Sequence, residues 1–289
     1  MPPQVLVVGH VVQDLNSSGG RDAWRLGGTV TYASLLAHRL GLRAAVLTAA
    51  SDDLPLEELL PEVECRVVAS PCTTQIRNVY AAGQRQQSIP QQATAITPGQ
   101  LPESWRQTPI VLLGPVAGEV DDRLAQCFPN SLLGISAQGW LREIGADTLV
   151  RPLPTTHWPT ARLLEPARAL FVSQEDISSA EKAAALREWS PLVENTLFTR
   201  GELGIEVCIS GQWRHIDAFP AATLDPTGAG DAFAAAFLIH LWETGDGWQS
   251  ARFAACAASF VTEGEGTAAI PDRDQIEARL RRYPQIEAR

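Results

Sequence analysis

A chain of 289 residues with 45% hydrophobic content has ample length for a buried core, as one large α/β domain or two small ones. Its net charge of −10 argues against a nucleic-acid partner, because affinity for a phosphate backbone comes from clustered positive charge. Lys182 is the single lysine among 23 basic residues and sits in an alanine-rich helical segment, so the Gly-Lys-Ser/Thr of a P-loop and the phosphate-pairing Lys of a protein kinase are both excluded.

In chain order, apolar runs at 5–8, 44–47, 65–68, 110–113, 132–135, 169–172 and 196–199 read as strands. Helical periodicity is predicted over 30–40, 120–127, 179–189, 231–242, 248–263 and 273–282. After the first strand and Gly9, the chain reads as a loop carrying Asp14, and Gly27-Gly28 then open the first helix. Residues 73–88, with a turn at Ala82-Gly83, read as a β-hairpin too polar to be core. A second hairpin is predicted around Ser210-Gly211-Gln212. Strand-helix alternation implies a largely parallel sheet covered on both faces, with ligands gathering at the carboxyl ends of its strands. The five cysteines form no Cys-x-x-Cys pair and read as free thiols in a reducing cytosol. No basic leader precedes the first strand, and the longest apolar helix is too short to cross a bilayer, so a cytoplasmic protein without membrane association is expected.

The run Asp225-Pro226-Thr227-Gly228-Ala229-Gly230-Asp231 carries the chemistry. Small residues ahead of an apolar helix let backbone N–H groups converge where the helix dipole is positive, roughly +0.5 charge, which builds an anion site. Asp231, in the first turn, holds a carboxylate beside whatever oxyanion the glycines cradle. That pairing suits phosphoryl transfer, with Gly228, Ala229, Gly230 and Asp231 surrounding the moving group and Asp231 taking the acceptor's proton. With an ordinary Asp pKa near roughly 3.9 and a helix N-terminus favouring its charge, Asp231 reads as a weak base.

With Asp225 and Thr227 before the glycines and Asp231 after them, the run resembles the second signature of the ribokinase-like (PfkB-type) carbohydrate kinases, Asp-x-Thr-Gly-Ala-Gly-Asp. The N-terminal Asp14 and Gly27-Gly28 resemble the first. The resemblance implies one ribokinase-like domain over 1–289, a three-layer α/β/α sandwich with a mostly parallel central sheet and a small β-hairpin lid at 73–90. It implies ATP-dependent transfer of the γ-phosphoryl group to a hydroxyl of a small sugar, polyol or nucleoside. Asp14 is then expected to bind substrate hydroxyls, Gly27 and Gly28 to let the backbone approach the sugar, and Asn78, Arg85 and Gln87 of the lid to face it. In relatives the lid often contributes to a dimer contact, so a homodimer through it is an expectation. Thr199, Gly201 and Gly204 resemble the nucleotide segment, with Thr227 nearby.

ATP implies Mg²⁺. Where the family has Asn-x-x-Glu, this chain reads Ser173-Gln174-Glu175-Asp176, which leaves Glu175 and Asp176 as metal candidates acting through water, or else Ser173 as a helix N-cap. Asp225 with Thr227 is the place where many relatives hold a monovalent cation such as K⁺. The usual Asn of the first signature is Tyr32 here, which puts furanose recognition in doubt and leaves a cyclic polyol or a nucleoside open. The second reading is a catalytically inactive nucleotide-binding regulatory homologue of the same fold, which Tyr32 and the 173–176 segment keep open.

Overall fold

The computed structural model describes residues 2–16, 24–81, 84–158 and 160–289. Its N-terminal half runs β1 (Val5–Val8), β2 (Val12–Asn16), β3 (Trp24–Gly27), α1 (Thr29–Arg39), β4 (Ala44–Ala50), α2 (Leu56–Leu59), β5 (Glu64–Ala69), β6 (Thr74–Ala81), β7 (Gln84–Gln91) and β8 (Ile110–Leu113). There follow β9 (Leu132–Ser136), β10 (Arg142–Ile144), β11 (Val150–Pro152), α3 (Thr160–Leu164), β12 (Ala169–Ser173), α4 (Ser179–Trp189), β13 (Asn195–Thr199), β14 (Ile205–Ile209) and β15 (Gln212–Ile216). Three helices close the chain, α5 (Ala229–Thr244), α6 (Gly247–Val261) and α7 (Arg273–Arg282).

Nine strands form the central sheet in the order β15-β14-β13-β12-β9-β8-β1-β4-β5, with every pairing parallel except the two made by the reversed strand β14. The continuous apolar run of β1 is explained by burial on both faces. Val5 and Val7 join the layer of α1, α5 and α6, whereas Leu6 and Val8 join a second layer with Leu163, Leu164, Trp189 and Phe198. This is the three-layer α/β/α arrangement. Helix α5 lies in the middle of its layer, with residues Ala232 to Ile239 buried, which accounts for apolar side chains all round it. Ser210 and Gly211 both take positive φ at the β14–β15 turn, the backbone that a tight hairpin requires. Among the described residues no helix is long and apolar enough to cross a membrane.

Two local expectations are corrected. The helix predicted over 120–127 is a 3-10 segment, Asp122–Cys127, because Phe128 precedes Pro129, which disfavours helical backbone and stops the turn. The lid is larger than a hairpin. It has four strands in the order β3-β2-β6-β7, so the supposed loop around Asp14 is itself lid sheet. The β6–β7 hairpin pairs as the sequence predicts, and the turn expected at Ala82-Gly83 lies outside the described residues. Val12 of β2 packs with Ile76, Ile89, Val116 and Ala117, Asp14 and Arg25 follow farther along the same face, and Leu26 on the other face packs against the main core. The short hairpin β10–β11 meets the outer lid strand through a bridge from Leu149 to Ser88.

A buried polar knot fixes the lid's root. Glu119 accepts the amides of His10 (2.8 Å), Val116 and Ala117, and so ties the end of β1 to the loop after β8. The His10 ring bonds to the Thr94 carbonyl at 2.9 Å and to the Thr74 hydroxyl at 2.7 Å, at the two points where the lid strands leave the core. A carbonyl only accepts, so Nε2 carries the proton and the Thr74 hydroxyl donates to Nδ1.

Candidate active site

Helix α5, which the Asp225–Asp231 segment opens, packs against β8, β9 and β12 of the central sheet. Gly228 is the N-cap of α5 with φ of 79°, a left-handed conformation that an L side chain resists. A Cβ there would overlap the ring of Tyr32. Gly230 differs, being exposed with no other atom within 4 Å of the place a Cβ would take, so the open side of the turn is at Gly230. Asp225 shapes the entry by accepting the Thr227 amide at 3.0 Å on Oδ1 and the Gly266 amide at 3.3 Å on Oδ2. Burial works against its charge, yet the bonds from Thr227 and Gly266 and the nearby Arg25 guanidinium hold its carboxyl below the ordinary range.

One member of the expected anion site is otherwise engaged. The amide of Ala229 donates to the Pro226 carbonyl at 3.3 Å. The amides of Gly230 and Asp231 have no backbone acceptor among the described residues, so these two are the open donors at the helix start.

Asp231 is half-buried and accepts a 2.7 Å hydrogen bond from the Thr29 hydroxyl on Oδ1. Thr29 is the first residue of α1, and it fits because Gly114, at the end of β8, has no side chain where the Thr29 methyl lies. Burial pushes the Asp231 carboxyl up to about 6, against the Thr29 bond and the Arg142 charge, while Asp176 adds to the rise. The sequence expectation of an ordinary acidic Asp is therefore corrected, because the dipole of the helix was visible in the sequence and the desolvation was not. The result is a better base.

Asp176 is 7% exposed. Its Oδ2 accepts the Ser173 amide at 2.8 Å, and its Oδ1 is buried with no hydrogen-bond partner. Burial raises its carboxyl, with the Arg142 charge and the Ser173 bond opposing. Glu175, the other metal candidate, is exposed, whereas Asp176 is buried and near enough to Asp231 for its charge to act there. The alternative N-cap at Ser173 is not found, since α4 begins after Ser178, whose hydroxyl accepts the Glu181 amide. Among the described residues no three His, Cys, Asp or Glu converge on a metal position. The orphaned Asp176 oxygen fits a hydrated cation that takes its remaining ligands from donor phosphates and water.

The small sheet contributes Asp14 and its neighbours. Asp14 on β2 presses its carboxylate against Gly27, where a Cβ would overlap it, and a Cβ on Gly28, with φ of 85°, would overlap the His10 carbonyl. The protein's own close packing thus requires a glycine at both positions. Tyr32 is 2% exposed, with its ring under Gly228. Burial raises its phenol above the ordinary range, and the charges of Asp14, Asp225 and Asp231 raise it further. It therefore backs the turn among three carboxylates. Asn78 leaves the same lid face as Asp14, and its Oδ1 accepts from Gln87 at 2.9 Å. The side chain of Arg85 lies outside the described residues.

Thr199 ends β13 directly beside Ser173, and its carbonyl accepts the Gln174 amide at 2.9 Å. Gly201 and Gly204 both have positive φ, and a Cβ on Gly204 would overlap the Ile216 carbonyl. The segment thus borders the 173–176 carboxylates. Sequence reasoning missed Thr29, whose signal was its place directly after the glycine pair. It also missed Arg142 of β10, which no motif marks, whose charge acts on both Asp231 and Asp176 and whose Nη1 donates to the Val116 carbonyl at 3.2 Å.

The model of the pfkB family of carbohydrate kinases matches residues 146–273. A nucleoside kinase of Methanothermobacter thermautotrophicus is 39% identical over 96 residues, which cover 33% of this chain and 30% of the relative. An inositol 3-kinase of Zea mays is 31% identical over 107 residues, covering 37% of this chain and 27% of the relative. The chain thus spans about a third or less of the length of these curated relatives in the matched stretches. Among solved structures, a pyrophosphate-dependent kinase in the ribokinase family superposes with a TM-score of 0.80 at 22% identity, over 95% of this chain and 99% of the other.

Proposed function

We propose that this chain, a member of the pfkB family of carbohydrate kinases with the ribokinase-like fold, moves the γ-phosphoryl group of ATP to a hydroxyl of a small sugar, polyol or nucleoside. One observation carries the reading: Asp231, oriented by Thr29, stands at the start of α5 beside the open amides of Gly230 and Asp231. The acceptor hydroxyl would lie between Asp14 and Asp231. Asp231 accepts its proton as the new O–P bond forms and the bond to the leaving ADP oxygen breaks. The transition state is loose, so the proton leaves late and positioning supplies much of the rate. The Gly230 and Asp231 amides receive the charge on the transferring oxygens, with the dipole of the 16-residue helix behind them. Mg²⁺ arriving with the donor would be held through water by Asp176 and would neutralise donor phosphate charge. Thr199, Gly201, Gly204 and Thr227 border the donor side.

The test is a coupled assay against neutral sugars, cyclitols and nucleosides, run with ATP and with pyrophosphate as donors. Product formation with one acceptor class supports the reading. Donor binding with silence across the whole panel supports the inactive regulatory homologue instead.

The pH dependence follows from the Asp231 carboxyl. Its pKa is raised, so the ionised base is lost from about pH 6 downward, and kcat/KM is expected to fall about tenfold per unit below that point and to level off above about pH 7. Residual activity of Asp231→Asn should lack this inflection. A wild-type profile flat to about pH 4.5 would remove Asp231 from the role of base.

A further inference from the structure

We propose that Arg25 is a positioning residue of the phosphate turn, a tethered cation that the lid lays against Asp225; the proposal rests on the kinase reading above. Arg25 stands opposite Asp14 in the β2–β3 register, so both side chains leave the same face of the lid. From that face the guanidinium crosses to the core, where Nη2 donates to Glu265 Oε2 at 2.6 Å and Nη1 lies 3.8 Å from Asp225 Oδ2. Its stem passes over Gly266, whose amide donates to the same Asp225 oxygen. Three segments far apart in sequence therefore meet at one carboxylate: the lid edge, the entry to the turn, and the loop after α6.

The consequence lies in charge and in geometry. Asp225 fixes the Thr227 amide and so the path into Gly228, yet an uncompensated anion at that place would repel donor phosphates arriving at Gly230. Arg25 supplies the compensation, which agrees with the depressed Asp225 carboxyl. It also couples the two halves of the site, since the strand that pairs with Asp14 is the one held against the turn. A monovalent cation expected at Asp225 and Thr227 would here meet a positive charge already beside Asp225. Both Asp225 oxygens already accept amide bonds, and a guanidinium occupies the vicinity. Arg25 takes over the charge that such an ion would bring.

Transfer should be measured on the full chain and on Arg25→Met, Arg25→Gln and Arg25→Lys, in potassium chloride and in tetramethylammonium chloride at equal ionic strength. The unaltered chain is expected to work equally, within about twofold, in both salts. Arg25→Met should lose about tenfold in kcat/KM in tetramethylammonium and regain at least about threefold in potassium, and Arg25→Lys should keep most of the activity. If Arg25→Met does not fold, as judged by its melting curve, Arg25→Gln carries the same expectation. Potassium stimulation of the unaltered chain beyond twofold would overturn the proposal, as would uncharged variants that match it in both salts. Absence of transfer by the unaltered chain in either salt would overturn the kinase reading, and this proposal with it; transfer with an indifferent position 25 overturns this proposal alone.

Discussion

Asp231→Asn is expected to lower kcat by about 10³-fold, within the 10²–10⁴ range for loss of a positioned general base, while donor affinity stays within about threefold. Asn is nearly isosteric and its Oδ1 can still accept the Thr29 hydroxyl, so the geometry at 2.7 Å is preserved and only the proton acceptor is removed. Stability gives an independent check. Because the Asp231 carboxyl is raised to about 6, its charge is disfavoured in the folded chain, and stability is lost as pH rises from the ordinary carboxylate range through that value. A neutral Asn at pH 8 avoids that cost, so the variant should melt at the same temperature as the parent or higher. A residual kcat within tenfold of the parent, in a folded variant, would contradict the assignment.

The second large effect separates two glycines that look equivalent in the sequence. Gly228→Ala places a methyl group into the Tyr32 ring at a φ of 79°, adding left-handed strain of about 1–2 kcal/mol to an overpacking cost of about 1–3 kcal/mol. At roughly 2–4 °C per kcal/mol for a domain approaching this size, its melting temperature should fall by about 4–20 °C, and turnover should drop about a hundredfold or more as the turn is displaced. Gly230→Ala meets no protein atom within 4 Å and needs no positive φ. It should melt like the parent yet raise the donor KM strongly, because its methyl group enters the space where phosphate would sit. Equal stability loss in both variants, or an unchanged donor KM for Gly230→Ala, would show that the open side of the turn is not a ligand surface.

The contrast also marks what a sequence can and cannot disclose. The central sheet was legible because strands such as β1 and β8 are buried on both faces and carry unbroken apolar runs. The turn was legible because its glycines and acidic residues are contiguous. The lid was only half legible: β2 and β3 are short and mix polar with apolar residues on each face, so no clean alternation marked them and Asp14 read as a loop residue. What the glycines serve was not legible either, since Gly27 makes room for Asp14 and Gly228 for Tyr32 through contacts across the fold. The effect of Arg142 on Asp231, and the burial of Asp176 beside an exposed Glu175, come from tertiary packing around a short strand and a loop, which no local pattern encodes. The elevated Asp231 carboxyl has the same origin, because desolvation is a property of the packed site.

If Asp231 and the Gly230 side of the turn deliver a phosphoryl group to an acceptor hydroxyl, rather than merely binding a donor, the product itself must be visible. Phosphorus NMR of the full chain incubated with ATP, Mg²⁺ and the acceptor panel tests this most directly. A new phosphomonoester resonance growing together with ADP, and absent with Asp231→Asn, is the result expected; donor left intact, or inorganic phosphate as the sole new signal with every acceptor, would contradict it.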